Sequence, residues 1–160
     1  MPRTFTVGLI SDTHGLLRPE ALERLKGSDV IIHAGDVGDA EILAELARLA
    51  PVSAVRGNVD RGAWAQSLPE TEVVAVGPSA VLYVLHDIQA LDLDPAAAGF
   101  QVVVFGHSHK AETRWRDGVL YVNPGSAGPR RFSLPLSVGR LRVEAGTVSA
   151  DIIPIAPIPR

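Results

Sequence analysis

The chain has 160 residues, 46% of them hydrophobic, no cysteine and a formal charge of −3 at pH 7. That length suits one domain, residues 1–160, able to bury a core without staples, and the missing thiols exclude disulfides and thiolate zinc sites. Apolar runs such as 102–105 fall far short of the roughly 20 residues of a membrane span, and the mildly acidic balance argues against a life on nucleic-acid backbones. Met1-Pro2-Arg3-Thr4-Phe5 carries no signal-peptide pattern, so the expected location is cytoplasmic.

Residues 6–11 (TVGLIS) predict a buried strand ending in the polar turn Asp12-Thr13-His14-Gly15. Pro19 then stands where a helix tolerates proline, its first turn, with Leu22 and Leu25 as an apolar stripe and Gly27 as the stop. A second buried strand, 30–32, closes at Ala34-Gly35-Asp36. Asp39 offers an N-cap for a helix over 40–50, with Ile42, Leu43, Leu46 and Leu49 on one side, and Pro51 stops it. A third strand, 52–56, ends at Gly57-Asn58. Strand, loop and helix in repetition predict parallel strands with covering helices.

Residues 61–69 read as loop around a partly buried Trp64, and strands follow at 72–76 and 80–86 about Gly77-Pro78. Asp94-Pro95 opens a short Ala-rich helix, and the buried strand 101–105 ends at Gly106-His107. Strands 113–116 and 119–122 form a hairpin across Asp117-Gly118, and 137–143 with 147–153 a second. The proline-rich tail, 154–160, reads as an extended edge or a frayed end.

One placement rule runs through these elements. Asp12/His14, Asp36, Asn58, His86 and His107/His109 each follow an apolar strand, and in open α/β sheets side chains converge at the strands' carboxyl ends. Each piece alone has a bland reading. Asp12-Thr13-His14 fits a surface turn, Gly35-Asp36 a helix-capping loop, and His107-Ser108-His109 only puts two imidazoles on one side of an extended segment. Five such pieces at strand ends point instead to one cage. Carboxylate, imidazole and amide oxygen suit Mn²⁺, Ni²⁺, Fe²⁺, Co²⁺ or Zn²⁺. Seven ligands exceed one tetrahedral ion and suit two ions sharing a carboxylate, about 3.5–4 Å apart.

Together with Asn123-Pro124-Gly125-Ser126 and Pro129-Arg130, these motifs resemble the calcineurin-like metallophosphoesterases, and within them the small YfcE/MJ0936-type phosphodiesterase branch related to the retromer subunit Vps29. The resemblance runs from about Val7 to Arg130. It implies an α/β fold, a four-layer α/β/β/α sandwich of two mixed sheets flanked by helices. It implies that Asp12, His14 and His109 hold one divalent ion, Asn58, His86 and His107 another, with Asp36 between them. It also implies hydrolysis of a small phosphoester, a diester first, by a hydroxide bridging the ions, with Mn²⁺ the first expectation. Asp36 and Asn58 are the catalytic expectations, joined by Arg56, which matches a phosphate-binding arginine of related phosphatases and equally suits a salt bridge.

Three positions depart from the pattern or stand outside it. Val59 replaces the histidine that follows the asparagine in the protein-phosphatase branch, which removes a candidate leaving-group acid. Asp87 replaces the glycine usual after the matching histidine, and either orients His86 or faces solvent. His33 is expected to be buried and hydrogen-bonded to backbone, outside the cage. Trp64 and Trp115 are expected to be partly buried packing residues, and Asn123–Ser126 a tight turn supporting the site. A non-catalytic, Vps29-like interaction scaffold is the competing reading and a nuclease a third; pairing of exposed hairpins in a homo-oligomer stays open.

Overall fold

The structure is a computed structural model and describes residues 3–131 and 133–155. The strand-loop-helix repeat builds the first sheet. Strands β1 (Thr4–Ile10), β2 (Val30–His33) and β3 (Val52–Ala54) pair in parallel, with α1 (Pro19–Leu25) after β1 and α2 (Ala40–Ala47) after β2. Strands β4 (Thr71–Val76), β5 (Ala80–Leu85), β6 (Val102–Val104), β7 (Glu112–Arg116) and β8 (Val119–Asn123) form the second sheet in the order β4-β5-β6-β8-β7. Its central three strands are parallel, and its edges, β4 and β7, are antiparallel. The final hairpin, β9 (Ser137–Glu144) and β10 (Thr147–Pro154), returns to the first sheet and pairs antiparallel with β1.

Period-two alternation decides what each strand buries. Val7, Leu9 and Ile32 turn toward Leu82, Val84, Val102, Val104 and Leu120, forming the core between the sheets. Ile10 and Ile31 face the other way, against Ala21 and Leu25 of α1 and Ile42 and Leu46 of α2. Each fully buried aliphatic side chain contributes roughly 1.5–3 kcal/mol. The expected α/β architecture of two mixed sheets is therefore present. On the outer face of the second sheet, Tyr83, Val103, Phe105 and Tyr121 are covered by Ile88, Leu91, Leu93 and Phe100. That layer contains a 3₁₀ turn, Ile88–Ala90, in place of a longer helix.

Local differences from the expected elements have simple causes. The Ala-rich helix expected after Asp94 is only a turn: Asp94 Oδ1 accepts N–H bonds from Ala96 and Ala97, and Gly99 takes a positive φ of 85°. So few residues cannot offset the cost of helix nucleation. Helix α2 carries its predicted N-cap, Asp39 Oδ1 accepting from Glu41 N at 2.9 Å, but stops at Ala47 and tightens into bonds such as Leu49 N to Leu46 O. The expected loop 61–69 contains one helical turn, α3 (Ala63–Gln66), whose Trp64 packs half-buried against the helix layer. Residues 156–160 of the expected tail lie outside the described residues. No helix among the described residues is long and apolar enough to cross a membrane.

Candidate metal centre

The loops that leave the parallel strands are zipped to one another. Asp12 N donates to Gly35 O (3.0 Å), His14 N to Asp36 O (2.9 Å) and Gly106 N to His86 O (2.9 Å). This brings the ends of β1 and β2 together, and the ends of β5 and β6. Five residues here, Asp12, His14, Asp36, His107 and His109, adopt φ between +46° and +74°. The other non-glycine residues in that region, among those described, are Asp117 and Ala145, both in hairpin turns. Left-handed backbone at non-glycine residues costs about 1–3 kcal/mol each and concentrates at functional sites.

The side chains converge as the strand-end rule expects. Asp12, His14 and His109 each offer a ligand atom within 4.8 Å of the other two, and so do Asp36, His86 and His107. Asp12 Oδ1 lies 3.8 Å from His14 Nε2 and 3.5 Å from His109 Nε2. Asp36 Oδ2 lies between the groups, 3.6 Å from His14 Nε2 and 3.1 Å from His86 Nε2. Asn58 is exposed and lines a cavity that His86 also borders. Arg56 lines the same cavity, and its Nη2 donates to Glu70 Oε1 at 2.9 Å.

The donor chemistry fits a bound cation. Asp12 Oδ2 is satisfied by Ser11 Oγ (2.7 Å) and His107 N (3.2 Å), whereas the buried Oδ1 has no hydrogen-bond partner. His86 Nδ1 donates to Ala34 O at 2.8 Å, so in the neutral ring the Nε2 lone pair faces Asp36 Oδ2 at 3.1 Å without a donor between them, a place that a proton on that nitrogen or a cation would satisfy. His14 Nε2 and His109 Nε2 approach to 3.3 Å. Beside carboxylate oxygens, these two facing nitrogens suit a positive charge, either a proton shared between the rings or an ion. Burial would lower the His86 pKa, but Asp36 outweighs it and raises the value. Burial likewise works against ionised Asp36, yet His86, the Val59 N–H and His14 bring its pKa down to about 2. Burial pushes Asp12 up, against Ser11, His86 and His109.

A second set of residues holds this geometry. His33 Nδ1 accepts from Gly35 N (3.1 Å), which fixes the proton on Nε2; that nitrogen donates to Thr13 Oγ1 (2.9 Å), and Thr13 Oγ1 donates to Val37 O (2.8 Å). The expected buried, backbone-bonded histidine is therefore also a bridge to Thr13. Ser126 Oγ donates to Asp12 O (3.1 Å), and Asn123 Nδ2 donates to Gly106 O and Ser108 Oγ, both at 3.1 Å. Gly57 is required by close approach, since a Cβ there would collide with Asp36 N and Asp36 Oδ1. Asp60, absent from the sequence reading, is 5% exposed and accepts three backbone N–H bonds, from Val37, Gly38 and Gly57. Its signal in the sequence is a carboxylate two residues beyond Asn58.

Two expectations change. Asp87 neither orients His86 nor simply faces solvent: Oδ1 caps the 3₁₀ turn through Gln89 N (3.0 Å), and Oδ2 stands 4.0 Å from His107 Nε2. Trp115 is 60% exposed on edge strand β7, every residue of which is exposed, instead of being partly buried. An edge strand pairs on one side only and leaves such a side chain uncovered.

Burial lowers the His33 pKa from 6.5 to about 3. Between those values the unfolded chain binds the extra proton, so stability present above 6.5 is lost as pH falls, by up to about 1.4 kcal/mol per unit. Denaturant titrations of chelated protein between pH 7 and 4 are expected to show this slope, and His33→Gln to flatten it. An unchanged slope in the variant would contradict the assignment.

The chain belongs to the calcineurin-like phosphoesterase superfamily, whose domain matches residues 5–146. The family is one of metallophosphoesterase hydrolases that use divalent metals. A probable metallophosphoesterase of Methanothermobacter thermautotrophicus is 36% identical over 157 residues, covering 92% of this chain and 91% of the relative. Among solved structures, an archaeal phosphodiesterase matches with a TM-score of 0.76 at 23% identity, over 93% of this chain and 100% of that one. Vps29 of Entamoeba histolytica complexed with Zn²⁺ matches at 0.72 and 24% identity, over 95% and 100%. The two structural likenesses are likenesses of fold.

Proposed function

We propose that the chain is a phosphodiesterase that holds two divalent ions, one by Asp12, His14 and His109 and the other by Asn58, His86 and His107, with Asp36 shared. The observation that carries this reading is the pair of carboxylate oxygens, Asp12 Oδ1 and Asp36 Oδ2, ringed by the Nε2 atoms of His14, His86 and His109 within 3.9 Å. When bound, such ions supply a water nucleophile of lowered pKa and neutralise phosphoryl oxygens. The chain's own part is positioning. The Val59 N–H, 3.0 Å from Asp36 Oδ1, leaves Oδ2 turned to the cage. Arg56 keeps N–H donors beyond the one given to Glu70 and can orient a phosphoryl oxygen. With valine at position 59, no imidazole follows Asn58 to protonate the departing alcohol, which favours substrates whose leaving group needs little help. Mn²⁺ is the first candidate ion, and a mixed set of oxygen and imidazole donors also suits Ni²⁺, Fe²⁺, Co²⁺ or Zn²⁺.

The fold shared with Vps29 supports a second reading, an interaction scaffold, and the exposed β7 edge with Trp115 would serve it. Zn²⁺ in a Vps29 structure means that metal occupancy alone does not separate the two. Turnover does. Bis-p-nitrophenyl phosphate is expected to be hydrolysed by protein reloaded with Mn²⁺ or Ni²⁺, with loss on chelation and in His107→Ala; absence of metal-dependent turnover in the wild type favours the scaffold.

A further inference from the structure

The second sheet ends on β7, which among the described residues pairs with β8 alone and whose five residues are all exposed. Which of its backbone groups face outward follows from the hairpin. Asp117 and Gly118 take φ of 51° and 77°, the positive pair of a type I′ two-residue turn. The flanking residues, Arg116 and Val119, are then a hydrogen-bonded pair, and such pairs recur at every second position. Thr113 and Trp115, opposite Val122 and Leu120, fall on the alternate positions. Strand β8 agrees: Leu120 N donates to Gln101 O and Val122 O accepts from Phe105 N, both on the β6 side. The N–H and C=O groups of Thr113 and Trp115 therefore lie along the open edge. Trp115, at 60%, is also the most exposed large hydrophobic residue among those described.

We infer that this edge pairs with the same edge of a second copy, antiparallel about a two-fold axis at Arg114, so that the two second sheets become one. A two-fold axis normal to such a sheet passes between a residue and its own copy. Centred on Arg114, it pairs every residue of β7. Moved to Trp115, it sets Arg114 against Arg116 and Thr113 against Asp117 of the turn; moved to Thr113, it sets Arg116 against Lys110, outside the strand. In the Arg114 register, Thr113 and Trp115 of the second copy exchange both backbone bonds. Glu112 stands opposite Arg116 of the second copy on each side of the axis, a favourable cross-strand pair. On the other face Trp115 meets Thr113, an aromatic against a β-branched side chain. The one like pair is Arg114 with its copy, and that guanidinium is drawn back over Tyr121 of β8, 5.1 Å from the ring centroid. The pairing does not depend on the phosphodiesterase reading, and it closes the β7 edge to any other protein.

The chain has no cysteine, so a single introduced one reports the register. Across the axis the two Arg114 Cα atoms stand about 4.5 Å apart, as in any non-hydrogen-bonded pair, within disulfide reach. The two Glu112 Cα atoms are offset by roughly 13 Å along the strands, beyond it. Under mild oxidation at equal concentration, Arg114→Cys is expected to give about tenfold more covalent dimer than Glu112→Cys. In sedimentation at low salt the wild type is expected to dimerise, and Glu112→Arg and Arg116→Glu each to raise the dimer Kd about tenfold. The double variant Glu112→Arg/Arg116→Glu is expected to restore it, and circular dichroism checks that each variant is folded. A wild type still monomeric at about 100 μM, equal cross-linking of the two cysteine variants, or a double variant no tighter than the single ones overturns the inference.

Discussion

Asp36→Asn is expected to lower phosphodiester turnover by about a thousandfold or more, a loss of roughly 4 kcal/mol in transition-state stabilisation, while the chain stays folded. The asparagine oxygen can still accept the Val59 N–H that Oδ1 accepts at 3.0 Å. Its amide group would replace Oδ2, the atom facing both His14 Nε2 (3.6 Å) and His86 Nε2 (3.1 Å). A shared anionic ligand thus becomes a neutral donor aimed at donor-poor space. Steady-state kinetics with saturating Mn²⁺, paired with an unfolding midpoint, separate loss of chemistry from loss of fold. A decrease smaller than tenfold would mean that Asp36 is not shared.

The second large effect is at a residue that touches no substrate. Asp60 receives N–H bonds from Gly57 (2.8 Å) and Val37 (3.2 Å) on Oδ2 and from Gly38 (2.9 Å) on Oδ1. It thereby clamps the loop after β2, which presents Asp36, to the loop after β3, which presents Asn58. Hydrogen bonds to a buried charge are worth about 1.5–3 kcal/mol each. Asp60→Asn turns one oxygen into a donor facing an N–H, and should destabilise the protein by about 3 kcal/mol. For a chain of this size that corresponds to a fall of about 6–12 °C in Tm. Differential scanning fluorimetry of chelated protein measures it without interference from metal. A shift under about 2 °C would remove Asp60 from the clamp.

The clustering of Asp12, His14, Asp36, His86, His107 and His109 was legible in part because parallel strands turn sequence order into spatial order: each apolar run ends where the next polar residue meets its neighbours. Asp12 and Asp36 could be brought together on that ground alone, since β1 and β2 are parallel neighbours in one sheet, whereas His86 follows β5 of the other sheet and meets them only through the packing of the two sheets. Asp60 could not be placed, because its partners are backbone amides of Val37, Gly38 and Gly57, and nothing in a sequence marks which amides lack a partner. The left-handed backbone at His107 and His109 was hidden for a related reason, since glycine is the usual signal for such φ and neither residue is glycine. Sheet order was the other limit. Two hairpins were visible around Asp117-Gly118 and before Thr147, but hairpins do not say which edge they join. Here β8 inserts beside β6, and β9 crosses to β1 of the other sheet. Trp115 went astray for the same reason, its burial depending on a strand being at the edge.

The central claim is that two ions share Asp36, and counting them tests it most directly. Chelated wild-type protein titrated with Mn²⁺ and analysed by mass spectrometry for bound metal is expected to reach two ions per chain, with hydrolysis of bis-p-nitrophenyl phosphate rising only as the second is filled. Saturation at one ion, or full activity before the second binds, would contradict it.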